Sequence, residues 1–216
     1  KIQCHENHEW IIYDRCKHRE RIVKTKELLN KPLDIGVPGK RGHRYIYQIP
    51  LKNAFEGEEK CLPVQPYTLG AWLGNGKTNG PSICGAADDI RIELLAIEKE
   101  GYSISWETTH EETLVEYRGL KGLRQDLQKC GMCYSRKRVE KYIPDIYFSA
   151  SIEQRLELLA GLLDTDGTLS KKERKYHFST TGNELKEGFI KLVSTFGWRC
   201  SVTEIEPKIS SSGKHG

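Results

Sequence analysis

Two stretches of similar pattern, about 90 residues apart, constrain this chain more than anything else in it. The first is Tyr67–Thr–Leu–Gly–Ala–Trp–Leu–Gly–Asn–Gly76 and the second is Leu158–Leu–Ala–Gly–Leu–Leu–Asp–Thr–Asp–Gly167. Each reads as an apolar helix with small residues on one side, ended by a glycine that suits a left-handed cap. A short strand is expected after each (Ser82–Ala86; Tyr176–Thr181), then a second helix (Ala87–Glu100; Glu184–Phe196) stopped at Gly101 or Gly197. Strand material follows, at Tyr102–Trp106 and Thr113–Tyr117 in the first half and at Arg199–Ile205 in the second. A helix near Leu120–Lys129 closes the first half. A motif recurring at domain-scale spacing with the same element order predicts two related halves packed on each other.

The chemistry follows from the small residues. Gly161 and Ala160 hold no neighbour away, so two such helices pack backbone to backbone, with Gly70 and Gly161 at closest approach. Asp166, placed just beyond the helix, then meets its counterpart Asn75. Two carboxylates in such a place repel unless a cation lies between them. Oxygen ligands with open positions suit Mg²⁺, which can activate water and stabilise the leaving oxygen of a phosphodiester.

Leu159–Ala–Gly–Leu–Leu–Asp–Thr–Asp–Gly167 resembles the signature of the LAGLIDADG homing endonucleases, and Thr68–Gly76 resembles the looser first copy of two-repeat members. Lys141–Tyr–Ile–Pro144 and Ser151–Ile–Glu–Gln–Arg155 are similar to the lead-in of intein-borne members. The resemblance covers Leu62–Lys208, about two-thirds of the chain. It implies an α+β fold of pseudo-symmetric αββαββα repeats forming a saddle over double-stranded DNA. It also implies Mg²⁺-dependent cleavage at a long site by a monomer, with Asp166 and Asn75 as metal ligands and Lys141 at the catalytic centre. Asn75 departs from the family's acid, so impaired cleavage with intact DNA binding is expected. Phosphate contacts are expected from Lys77, Lys171, Lys172, Arg174 and Lys175, with salt-dependent affinity. Trp106 and Tyr117 are expected to pack and not to stack on bases. Asp164 is expected to serve the helix end and not the metal.

The amino end resembles part of an intein splicing (Hint) domain. His5–Glu–Asn–His8–Glu–Trp10 stands where that family has a T-x-x-H block, with His5 in place of Thr and His8 as the residue that polarises the scissile amide. Short strands are expected through Ile2–Leu29, at His8–Tyr13 and Arg21–Lys24. The Pro- and Gly-rich Lys31–Gly42 is expected to hold no regular structure, and Arg44–Pro50 is expected to be one strand. The opening nucleophile and the closing Asn of an intein are not in this sequence, so splicing would need the missing portions and a host protein. The expected division is 1–50 for the Hint-like segment, 51–150 for the first repeat and 151–216 for the second, truncated one. Two alternatives fit the same residues: a non-cleaving DNA- or RNA-binding module of maturase type, or a splicing element with a passive insert.

Composition narrows the class without naming it. Over 216 residues the formal charge is +4, which permits nucleic-acid binding without demanding it. Mean hydropathy is −0.60, and no apolar run reaches the roughly 18 residues of a membrane span. No signal peptide is legible at Lys1–Trp10, so a cytoplasmic location, or that of the host, is expected over secretion. Seven cysteines fit a reducing compartment. Cys130–Gly–Met–Cys133 has CxxC spacing but no second ligand pair, so two thiols in a loop are expected there and not a metal site.

Overall fold

Two strands rich in β-branched and aromatic residues build the first hairpin. Strands β1 (Glu9–Asp14) and β2 (Arg19–Lys24) pair antiparallel from Glu9↔Lys24 to Asp14↔Arg19. Ile12 and Val23 face inward, while Ile11 and Ile22 are exposed. The buried Asp14 carboxylate shapes the turn, accepting from the N–H groups of Cys16 (3.0 Å) and Lys17 (3.1 Å) and from Arg21 (3.0 Å). The computed structural model describes residues 3–36, 43–50, 53–132, 140–172 and 174–205. They divide into two units, Lys1–Lys52 and Asn53–Gly216.

Three expectations for the first unit are corrected. Thr25–Leu29 is a helix, α1, where strand was expected. Glu27 reaches back to accept from the Lys24 N–H (3.2 Å), and the Lys–Glu–Leu–Leu run favours helix. Asp34–Gly36 forms strand β3 despite the surrounding glycines and prolines, paired with β4 (His43–Tyr45). Arg44–Pro50 is therefore not one strand. β4 pairs with β3, whereas β5 (Tyr47–Gln48) pairs with β1. The buried Ile46 between them gives its N–H to the Leu33 carbonyl (3.0 Å), and its own carbonyl accepts from the Arg15 N–H (2.9 Å).

In the second unit the chain runs α2 (Pro66–Asn75), β6 (Ser82–Gly85), α3 (Ala87–Lys99), β7 (Ile104–Thr109), β8 (Glu116–Leu120), α4 (Leu123–Lys129), α5 (Asp145–Phe148), α6 (Ile152–Asp166), β9 (Gly167–Ser170), β10 (Lys175–Phe178) and α7 (Asn183–Thr195). One sheet has the order β6-β8-β7 and the other is the β9–β10 hairpin, all antiparallel. The two expected repeats share this unit and one apolar core.

Helix α2 is apolar all round, which suits a central position. Pro66 occupies its first turn, and the Glu100 carboxylate from the end of α3 accepts from the N–H groups of Tyr67 (2.8 Å) and Thr68 (2.7 Å). Helix α6 starts at a Ser151–Gln154 capping box, its two bonds 3.2 and 3.3 Å long. The two helices cross at their small residues. A Cβ on Gly70 would lie 2.9 Å from Leu162 N and 3.0 Å from Gly161 Cα, and one on Gly161 would lie 2.7 Å from Ala71 N.

The helix ends differ from expectation. Asp164, Thr165 and Asp166 form the last turn of α6 and do not lie beyond it. The closing glycines are extended, Gly76 at φ −78°, ψ 149° and Gly167 at φ −96°, ψ 153°. They are required for closeness and not for handedness, since a Cβ on Gly167 would press to 2.7 Å of Leu163 Cα. Left-handed glycines do end α3 at Gly101 (φ 93°) and α7 at Gly197 (φ 71°). Strands β7 and β8 sit two to three residues later than expected. Arg199–Ile205 forms no strand and is exposed.

Candidate functional site

The crossing of α2 and α6 delivers their carboxyl ends to one open cleft. Gly74, Gly76, Lys77 and Asn79 line one side, Ser179–Gly182 another, with Lys141 and Asp166 between. Asp166 lies against α2: its Oδ2 would be 3.4 Å from a Cβ on Gly74. Lys141 donates from Nζ to the Gly74 carbonyl (3.0 Å), with its ammonium 5.2 Å from the centre of the Trp72 ring. Residues 25 to 92 positions apart in the chain thus become a local cluster of Gly74, Lys141 and Asp166.

Burial sets the charges of this cluster. It pushes Lys141 down to about 8, against the opposing charges of Asp166 and Cys84. It also raises the Asp166 carboxyl, with Lys141 pulling the other way. A lysine that folds into a site with a lowered pKa binds its proton more tightly when unfolded. Stability should therefore rise with pH between about 8 and the ordinary lysine value of 10.5, by up to about 3 kcal/mol. Lys141→Met should abolish that rise, which urea midpoints at pH 7.5 and pH 10.5 will show. Equal pH dependence in both proteins would mean that Lys141 is solvated.

Asn75 takes another direction. Its Nδ2 donates to Glu93 Oε1 (3.1 Å) on α3, and its backbone carbonyl accepts from Cys84 Sγ (3.0 Å). The nitrogen of the side chain is thus engaged by α3. Glu93 is 2% exposed, and its Oε2 has no partner among the described residues. Burial pushes its carboxyl up to about 7; the Asn75 donor opposes this, while Asp164, Asp89 and Asp166 add to it. Glu93 was legible as an acid within the apolar stripe Ile90, Leu94, Ile97 of its helix, but its partner was not.

The donor set does not fit the two-carboxylate cation site that the resemblance implies. Asp166 supplies one carboxylate beside a lysine, and position 75 offers only an uncharged amide oxygen, its nitrogen being bonded to Glu93. Among the described residues no three His, Cys, Asp or Glu side chains are grouped to hold a metal. Asp164 accepts from the Tyr67 hydroxyl (2.9 Å), tying the end of α6 to the start of α2.

The basic candidates fall in two places. Lys77 lines the cleft, its Nζ 4.1 Å over the Tyr117 ring. Lys171, Lys172 and Arg174 are exposed in the β9–β10 turn, with Arg174 at φ 53°, and Lys175 opens β10. Trp106 lies across Gly119 of the paired strand and is still 44% exposed. In the first unit His8 is exposed and packs edge-on to Trp10 at 4.6 Å. Cys130 is buried with its thiol pushed up by burial, which disfavours the thiolate a metal needs. Cys133 and Arg136–Arg138 lie outside the described residues. No helix among the described residues is long and apolar enough to cross a membrane.

Comparison with known proteins agrees with the second helix motif. Residues 153–215 match the LAGLIDADG-like domain family, so the chain carries a LAGLIDADG-like domain spanning α6, β9, β10 and α7. The chain is also similar to the replicative DNA helicase DnaB of Mycobacterium intracellulare, 34% identical over 160 residues. That match covers 74% of this chain and 24% of the helicase, so the chain spans about a quarter of the relative's length.

Proposed function

We propose that the chain is the DNA-binding core of an intein-borne, two-repeat LAGLIDADG homing endonuclease, joined to part of a Hint-type splicing domain and impaired in cleavage at Asn75. The observation that carries this is the backbone-to-backbone crossing of α2 and α6, which brings position 75 and Asp166 to the ends of adjacent helices beside a cleft with basic residues near it. Pseudo-symmetry of the halves is supported by the 70/161 glycine pair. The hairpin β9–β10 has a rudimentary counterpart after α2, where Gly76 bridges Ile83 and the Lys77 N–H meets the Ser82 carbonyl (2.9 Å).

The misfit of the cation site favours a binding module over an active nuclease. Similarity to a helicase over a quarter of its length is compatible with an element carried inside a host protein. The helicase's own nucleotide chemistry has no support in this segment. Gly76–Lys–Thr78 echoes the end of a phosphate-binding loop, but it follows a helix and leads into a strand. The loop that cradles phosphates runs from strand to helix and uses the helix amino end.

Duplex DNA should bind with log affinity falling linearly in log salt. Lys171→Ala with Lys172→Ala should reduce that slope by about 2, one for each phosphate left without its lysine. Fluorescence anisotropy with a pool of genomic fragments, from about 50 to about 300 mM salt, measures both. Salt-independent binding, or none, would remove the DNA-binding reading. A plasmid assay in the same buffers should show no double-strand cutting.

A further inference from the structure

The unpartnered oxygen of Glu93 lies beside the position where the related motif carries an acid. Glu93 sits in the apolar stripe of α3 with 2% exposure, and its other oxygen accepts from Asn75 Nδ2 at 3.1 Å. The amide nitrogen also lies near Gly85, where a Cβ would be 3.8 Å from it. An asparagine fits because its nitrogen carries hydrogens. While Glu93 is ionised, an aspartate in the same rotamer would set a second acceptor against the buried carboxylate, with no hydrogen between them. It would have to take up a proton or rotate out to the cleft, leaving the buried Glu93 without its donor, which costs far more there than at an exposed position.

We propose that Glu93 is a positioning residue that selects a hydrogen-bond donor at position 75, so that Asn75 is built into this fold and an acid there needs a compensating change at position 93. The inference rests on reading position 75 as the first motif's acidic position. It predicts that Asn75→Asp by itself restores little. Glu93→Gln supplies a donor from Nε2. With both substitutions made, the carboxylate introduced at 75 accepts from the amide introduced at 93, and the bond is reproduced with its polarity reversed. The second oxygen of that carboxylate is then free to face the cleft.

The test uses the full chain in four forms: unchanged, N75D, E93Q and N75D/E93Q. Thermal unfolding at about pH 9, where Glu93 is ionised, should place N75D about 5 °C or more below the unchanged chain, and the double variant should recover at least half of that loss. Mn²⁺, the probe ion, should bind the double variant about tenfold more tightly than N75D by calorimetry, a readout that stability alone does not move. An N75D protein as stable as the unchanged chain overturns the proposal. So does a double variant no more stable than N75D, folded or not, and so does equal Mn²⁺ affinity in the two. None of these measurements involves DNA. Failure of the unchanged chain to bind duplex DNA would therefore strike the homing-endonuclease reading and leave this pair intact.

Discussion

Gly161→Leu should abolish folding of the Asn53–Gly216 unit, and even Gly161→Ala should cost about 3 kcal/mol or more. The position faces backbone, not side chain: a Cβ there meets Ala71 N at 2.7 Å and Gly70 C at 3.1 Å. Backbone on both sides belongs to helices, which cannot yield by changing a rotamer. Relief requires α2 and α6 to move apart, and that opens the packing of Leu69, Leu73, Leu158 and Leu162 together. Overpacking by a methyl normally costs about 1–3 kcal/mol, and a rigid contact at the centre of the core lies at the upper end. Far-ultraviolet circular dichroism with chemical denaturation measures the effect. A Gly161→Leu protein with native helicity and an unchanged midpoint would disprove the central crossing.

Arg155→Met should be nearly as damaging, by about 4 kcal/mol, although it removes a charge from the core. Arg155 is 0% exposed, and its partners are carbonyls and rings. Its guanidinium donates to the carbonyls of Ala150 (3.0 Å), Ser151 (3.3 Å), Thr195 (3.2 Å) and Phe55, and lies between the Phe55 and Phe196 rings at 5.5 and 5.1 Å. One side chain therefore joins the start of α6, the end of α7 and the segment that leads into α2. Methionine fills the volume but takes the side-chain donor from the Ala150 and Phe55 carbonyls, each costing about 1–3 kcal/mol. The Ser151 and Thr195 carbonyls keep the backbone N–H groups of Arg155 (3.1 Å) and Phe55 (2.7 Å). Arg155→Lys should not rescue, because a single ammonium cannot reach the spread of carbonyls that a planar fork reaches. Denaturant midpoints of the three proteins decide this. A methionine variant within about 0.5 kcal/mol of the parent would show that the carbonyls find other donors.

Residue pattern and local chemistry were enough for much of the architecture. The apolar run of α2, the Ser151–Gln154 box of α6, the stripes of α3 and α7 and the hairpin at β1–β2 are written within a few residues of where they form. The glycines of the two motifs mark the crossing because only a missing side chain allows two backbones so close. Local signals failed where two tendencies compete over a short span. Thr25–Leu29 chose helix over strand through one capping glutamate, and Asp34–Gly36 became strand through a partner beyond the glycines.

The site was legible only in part, and the reason is physical. Asp166 and Lys141 could be named from the motif and its lead-in, since each stands at a fixed place in a recognisable run of residues. What those residues touch was settled by packing: Lys141 holds the Gly74 carbonyl and Asn75 turns to Glu93 on the neighbouring helix. Arg155 stood in a recognised stretch, yet its four carbonyl partners come from three separate parts of the chain. Sequence by itself determined which segments are helices and where two of them can meet at glycine, because periodicity and side-chain size act locally. Only the tertiary structure decided which donors answer which acceptors, because a buried hydrogen bond is chosen among groups brought together by folding, irrespective of their distance along the chain.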